Sequence, residues 1–173
     1  MTLENQTSEA QIKELLRALN KLKDTKIIFT MPNADTNGRI IFDLIKEYVK
    51  KNDNSKAFTS LGQLRYLSCV KHCDGVVGNS SSGISEIPSF KKGTINIGDR
   101  QKGRLKAKSI IDCSPNYKSI SNALKKLYSN SFKEKLKVVE SPFGNGGASK
   151  LIVQTLKRQN LNNILKKSFY IKE

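Results

Sequence analysis

Residues 74–98 read DGVVGNSSSGISEIPSFKKGTINIG, and this stretch decides the fold. It opens on a short apolar run, Asp74-Gly75-Val76-Val77-Gly78. It then passes through Asn79-Ser80-Ser81-Ser82-Gly83 into a short helix ending near Pro88, and returns to Thr94-Ile95-Asn96-Ile97. Short β-branched runs bounded by turn residues read as strands buried in a parallel sheet. The same alternation extends both ways. Upstream, residues 8–22 place Ile12, Leu15, Leu16, Leu19 and Leu22 on one helical stripe with Ser8 as a cap. A buried strand follows at Lys26 to Thr30, stopped by Met31-Pro32-Asn33. Next come a helix over about 35–50 with Ile40, Ile41, Leu44, Ile45 and Tyr48 inward, a strand at 56–59, and a helix from Gly62 to His72. Downstream stand a strand at 109–112, helices at about 116–129, 131–137 and 146–158, and a last amphipathic stretch at 160–168. Strands alternating with helices imply right-handed crossovers and a parallel sheet covered on both faces. Five strands so spaced predict one α/β, Rossmann-like domain over residues 1–173, a parallel sheet flanked by helices.

Composition agrees and narrows the function. A chain of 173 residues suits one domain, and 37% hydrophobic with 27% charged residues supports a core. No run of 18 apolar residues suggests a membrane span, and the polar start MTLENQTSEAQ lacks the apolar centre of a signal peptide. Three cysteines, Cys69, Cys73 and Cys113, are too few and too scattered for a disulfide framework, so a cytoplasmic location is expected. The net charge of +16 admits nucleic acid, an anionic membrane or a phosphate-bearing ligand. Counting along the chain gives 25 Lys and 6 Arg, dispersed rather than clustered with aromatics, which favours a solvated Lys-rich surface over nucleic-acid or membrane binding.

Ligands of such sheets bind at the carboxyl ends of the strands. The loop Gly78 to Gly83 carries small hydroxyl residues between a strand and a helix, where backbone N–H groups and the helix dipole attract an anion. Ser80 and Ser81 can donate side-chain hydrogen bonds, and Glu86 can accept two from a ribose diol. Serines for phosphate beside a carboxylate for ribose describe a nucleoside diphosphate site. The residues alone leave open that Ser80 to Gly83 merely cap a helix and that Glu86 is solvated. The next loop, Gly98 to Arg104, adds Arg100, a forked donor suited to phosphate. Two of the six arginines lie there, at 100 and 104.

The stretch GNSSSGISEIPSFKKGTINIGDRQKGR resembles the C-terminal half of UDP-N-acetylglucosamine 2-epimerases, most closely the hydrolysing branch, and FTMPNADTNGR and SPFGNGGASK resemble two further motifs of that branch in the same order. The resemblance covers about residues 1–158. It implies half of a GT-B-type enzyme, in which two Rossmann-like domains enclose the active site and the C-terminal one holds UDP. Carried over, Ser80 and Ser81 would bind the diphosphate, Glu86 the ribose and Arg100 a phosphate. Asn33 would lie at the cleft, Leu61 would meet the uracil edge through its backbone, and Tyr66 occupies an aromatic position near the base. Ser82 stands where some relatives carry Cys or Gly. The catalytic acids and bases would lie in the N-terminal domain, which this chain lacks. The implied partners are a UDP-sugar, that N-terminal domain and further copies in a homo-oligomer, and the implied chemistry uses no metal and no nicotinamide.

His72, the single histidine, falls at a helix end opposite the ligand loops and reads as structural. Cys69 and Cys73 lack the spacing and fourth ligand of a zinc site and read as small hydrophobes. Gly144-Asn145-Gly146-Gly147-Ala148 is a turn before a helix rather than a Walker loop; its helix N-terminus either faces the cleft or simply ends a turn. Asp35 and Asp99 each sit in a ligand-side loop without an assigned role. Three functions therefore stand together: a hydrolysing 2-epimerase half, a non-hydrolysing epimerase or GT-B glycosyltransferase half with the same nucleotide site, and a basic polyanion-binding protein.

Overall fold

Thr7, not Ser8, caps the first helix: its hydroxyl accepts from the Ala10 amide at 3.2 Å, in extended backbone just before α1 (Ser8–Leu19). The computed structural model describes residues 7–32, 38–160 and 162. It divides into two compact units, Met1–Phe143 and Gly144–Glu173. After α1 the first unit runs β1 (Ile27–Thr30), α2 (Gly38–Lys51), β2 (Ser55–Phe58), α3 (Gly62–His72), β3 (Gly75–Gly78), α4 (Ser82–Ser85), a 3₁₀ turn (Ile87–Phe90), β4 (Gly93–Ile97), β5 (Ile110–Cys113), α5 (Tyr117–Tyr128) and α6 (Asn130–Lys137). Asn116 and Ser129 cap α5 and α6, accepting from the amides of Ser119 and Phe132.

All strand pairs are parallel, yet the five strands do not form one sheet. β1 pairs with β2, and β3, β4 and β5 form a separate sheet in that order. β3 is four residues long with glycine at both ends, which weakens a strand, and among the described residues it pairs only with β4. Side chains join the sheets instead. Phe29 of β1 lies in one buried cluster with Ile95 and Ile97 of β4, Ile111 of β5, Leu16 and Leu19 of α1, and Ile120, Leu124 and Leu127 of α5. β1 is less buried than its composition suggests: Ile28 is 52% exposed and only Phe29 is buried. On α2, Ile45 is buried while Ile40 faces solvent.

β4 is the central strand, and all five of its residues are buried. Gly75 and Gly93 stand opposite each other on β3 and β4, and Leu127 of α5 lies over both. A Cβ at Gly93 would collide with Leu127 Cδ1, and one at Gly75 would come within 2.8 Å of Cδ2. The two glycines therefore let α5 approach the sheet. α1 meets α5 through a polar contact as well: the Glu14 carboxylate accepts from the Tyr117 amide at 2.7 Å, and the Arg17 guanidinium lies 4.5 Å from the Tyr117 ring centre.

In the second unit, Gly144, Gly146 and Gly147 all have positive φ, and Gly147 occupies the N-cap of α7 (Ala148–Arg158). The amphipathic stretch predicted over 160–168 lies almost entirely outside the described residues.

Candidate functional site

β3 and β4 are parallel neighbours, so the loops leaving their carboxyl ends start side by side, with Gly78 opposite Asn96. The serine loop is pressed onto β4. The Thr94 hydroxyl donates to the Gly83 carbonyl at 2.8 Å, and a Cβ at Gly83 would sit 2.7 Å from Thr94 Cγ2. Ser80 and Ser81 are exposed at the tip. The Ser80 hydroxyl accepts weakly from the Ser82 amide at 3.4 Å. Ser81 holds the N-cap of α4 in helical backbone and makes no side-chain cap bond, so capping is not what its hydroxyl does. The helix expected to supply a dipole is only the four residues of α4 before a 3₁₀ turn. One turn sums few peptide dipoles, so any anion here would depend on individual N–H and O–H donors.

Behind the tip runs a hydrogen-bond chain. The Ser82 hydroxyl donates to Glu86 Oε2 in a very short bond and lies 2.7 Å from the Tyr66 hydroxyl. Ser82 has one proton and gives it to the carboxylate, so Tyr66 must donate to Ser82. Burial raises the Tyr66 pKa, the Ser82 bond opposes that rise, and the Glu86 charge adds to it, so the phenol stays protonated. Glu86 Oε2 thus already accepts one bond, which leaves the carboxylate further acceptor sites for a ribose diol. Its Oε1 has no partner among the described residues.

The following loop adds a cation. Arg100 is exposed and makes no ion pair among the described residues. Its neighbour Gln101 is 3% exposed and donates from Nε2 to the Asn79 carbonyl at 2.7 Å, which ties this loop to the one carrying Ser80. Farther along, Lys106 Nζ and Asn96 Nδ2 each reach Asp112 Oδ1 at 2.7 Å. Burial pushes the Asp112 carboxyl up, but these two bonds and the Lys106 charge together hold it below its ordinary value.

Of the residues predicted from sequence, Tyr66 and Glu86 are joined through Ser82, Ser80 and Ser81 are adjacent, and the loop that carries Arg100 is tied through Gln101 to the residue before Ser80. Leu61 is the N-cap of α3, the helix that carries Tyr66. Asn33 and Asp35 lie outside the described residues. His72 ends α3 and is exposed. The Cys73 thiol donates to the Val70 carbonyl at 3.3 Å, and burial raises its pKa. No group of three or more candidate metal ligands occurs among the described residues, and no helix among them is long and apolar enough to cross a membrane. The sequence reading missed Gln101, Asn96 and the role of Ser82. A third serine in a row and a glutamine beside the arginine were visible, but burial and pairing were not.

A sequence profile described as UDP-N-acetylglucosamine 2-epimerase matches residues 1–157. The chain belongs to the UDP-N-acetylglucosamine 2-epimerase family. Within it, the chain is 45% identical over 171 residues to the hydrolysing GDP/UDP-N,N'-diacetylbacillosamine 2-epimerase of Campylobacter jejuni, covering 98% of this chain and 44% of that protein. It is 34% identical over 132 residues to the hydrolysing UDP-N,N'-diacetylbacillosamine 2-epimerase of Legionella pneumophila, covering 76% of this chain and 34% of that protein. The solved UDP-GlcNAc 2-epimerase of Neisseria meningitidis, bound to UDP-GlcNAc, shares the fold with a TM-score of 0.67 and 19% identity, over 88% of this chain and 41% of that one. The chain thus spans less than half the length of the curated epimerases it matches.

Proposed function

We propose that this chain is the UDP-binding part of a hydrolysing UDP-sugar 2-epimerase. Residues 1–173 act as one C-terminal domain that works with an N-terminal domain and in a homo-oligomer. The observation that carries the reading is the Tyr66–Ser82–Glu86 chain beside two exposed serines at the carboxyl ends of parallel strands. Ser80 and Ser81 donate to the diphosphate, Arg100 pairs with a phosphate, and Glu86 Oε1 accepts from the ribose. Tyr66 and Leu61 line the side of the base.

The reaction is a hydrolysis with inversion at C2. A base from the N-terminal domain removes the C2 proton, the C1–O bond breaks anti to it, and UDP leaves with the electron pair, giving a glycal. Water then adds, hydroxyl to C1 and a proton to C2 from the opposite face, releasing the free 2-epimeric sugar of the N-acetylmannosamine type, a precursor for sialic-acid-like sugars. Charge grows on the departing diphosphate, so donors already in place there lower the barrier most. The test is product analysis with the two-domain enzyme. Equal amounts of UDP and free 2-epimeric sugar are expected. An intact UDP-sugar inverted at C2, or a glycoside, assigns the chain to a non-hydrolysing epimerase or a glycosyltransferase instead.

A further inference from the structure

Between Asp99 and Leu105 every residue is exposed except Gln101, which is 3% exposed. A neutral amide turned inward from a loop rich in charge calls for a partner, and it has one: Nε2 donates to the Asn79 carbonyl at 2.7 Å. Asn79 precedes Ser80, and Arg100 precedes Gln101. The bond therefore joins the two loops one residue away from the groups placed on the diphosphate. Only the donor end is used; Gln101 Oε1 is buried with no partner among the described residues. A buried acceptor left unpaired costs free energy, so this residue is a poor device for stability alone. Within the loop, Lys102 N donates to the Asp99 carbonyl at 2.8 Å and Arg104 N to the Gln101 carbonyl at 3.4 Å, and at its base Gly98 N donates to the Cys113 carbonyl at 2.9 Å.

We propose that Gln101 is a positioning residue: it latches the loop carrying Arg100 onto the serine loop, so that Arg100, Ser80 and Ser81 engage one diphosphate as a unit. This rests on the nucleotide reading above and adds a coupling which that reading does not require. A pre-set cation loses less freedom on binding than one on a free loop.

The experiment uses Gln101→Met, which keeps the volume and removes the donor, alone and combined with Arg100→Ala. Calorimetry with UDP should show about a 10-fold loss of affinity for Gln101→Met, the scale of one hydrogen bond. The loss should shrink below about 2-fold when Arg100 is already alanine, because the latch then has nothing to position. Uridine affinity should not change. Without ligand, exchange of the Lys102 amide should quicken about 10-fold while that of Gly98 does not. Equal losses in both Arg100 backgrounds, or unchanged UDP affinity, overturn the latch while leaving the nucleotide reading intact. Absence of UDP binding to the unsubstituted chain overturns the nucleotide reading, and the latch is then decided by the exchange arm alone. If Gln101→Met does not fold, Gln101→Glu takes its place: its carboxylate cannot donate to Asn79, so the Lys102 amide should lose protection at neutral pH and, relative to the intrinsic exchange rate at each pH, regain it on acidification as the carboxyl regains a proton. A loop that exchanges at the wild-type rate in this variant at neutral pH overturns the proposal.

Discussion

Ser82 carries one proton between two oxygen-bearing neighbours, and that fixes the direction of the whole chain from Tyr66 to Glu86. Arg100, by contrast, is unpaired among the described residues, so its guanidinium is available to a ligand anion. Arg100→Ala should therefore lower UDP affinity by about 1.5–3 kcal/mol, the usual worth of a charged hydrogen bond, measured by calorimetry. Glu86→Ala should weaken UDP far more than pyrophosphate, since its assigned partner is the ribose; equal losses for the two ligands remove that assignment. A third residue makes a chemical prediction. Burial, with the Asp112 charge adding, pushes the Cys113 thiol up to about 11 from an ordinary 9.0. Alkylation needs the thiolate, whose greater nucleophilicity at higher pKa offsets part of its lower population, so at pH 8 Cys113 should react about 10-fold slower or more than an unperturbed thiol, by mass spectrometry. At this scale the sequence disclosed positions and withheld pairings. Ser80, Ser81, Glu86 and Arg100 stood out because each follows a strand of a parallel sheet. That Ser82 occupies one Glu86 oxygen, and that Gln101 turns inward, depends on side-chain directions that no spacing reveals.

At the scale of elements, the alternation of apolar runs located all five strands and the long helices, and the misses were element ends and the pairing of the strands. Thr7 displaced Ser8 as the cap because its extended backbone aims the hydroxyl at Ala10. The single expected sheet divided because β3, bounded by glycine, pairs on one edge only among the described residues. Those glycines have a separate role that a substitution exposes. Gly93→Ala would drive a Cβ into Leu127 and Phe132, and it should cost about 1–3 kcal/mol by chemical denaturation, the scale of overpacking a filled core. β5 supplies the pH dependence. The folded Asp112 carboxyl sits below its ordinary 3.8, so its contribution is complete above about pH 4 and is lost as pH falls through the folded value. The stability gap between wild type and Asp112→Asn should accordingly close below pH 4 in thermal melts; a gap that widens on acidification contradicts the direction of the shift.

At the scale of the whole molecule, the chain is under half the length of the curated relatives it matches, and the proposed reaction takes its proton-moving groups from the other half. The purified 173-residue chain should therefore release no UDP from UDP-N-acetylglucosamine. Clear turnover by it alone would place the catalytic acid and base within these residues. The charge of +16 remains the main competing influence, because a basic surface attracts any polyanion at low salt. Competition for Arg100 at physiological salt separates the two and is the most direct test of the account. With saturating UDP-sugar, Arg100 should be protected from guanidinium modification, and a short oligonucleotide should leave it reactive. Protection by the oligonucleotide, with none from the UDP-sugar, contradicts the nucleotide-sugar site and makes this face a polyanion-binding surface.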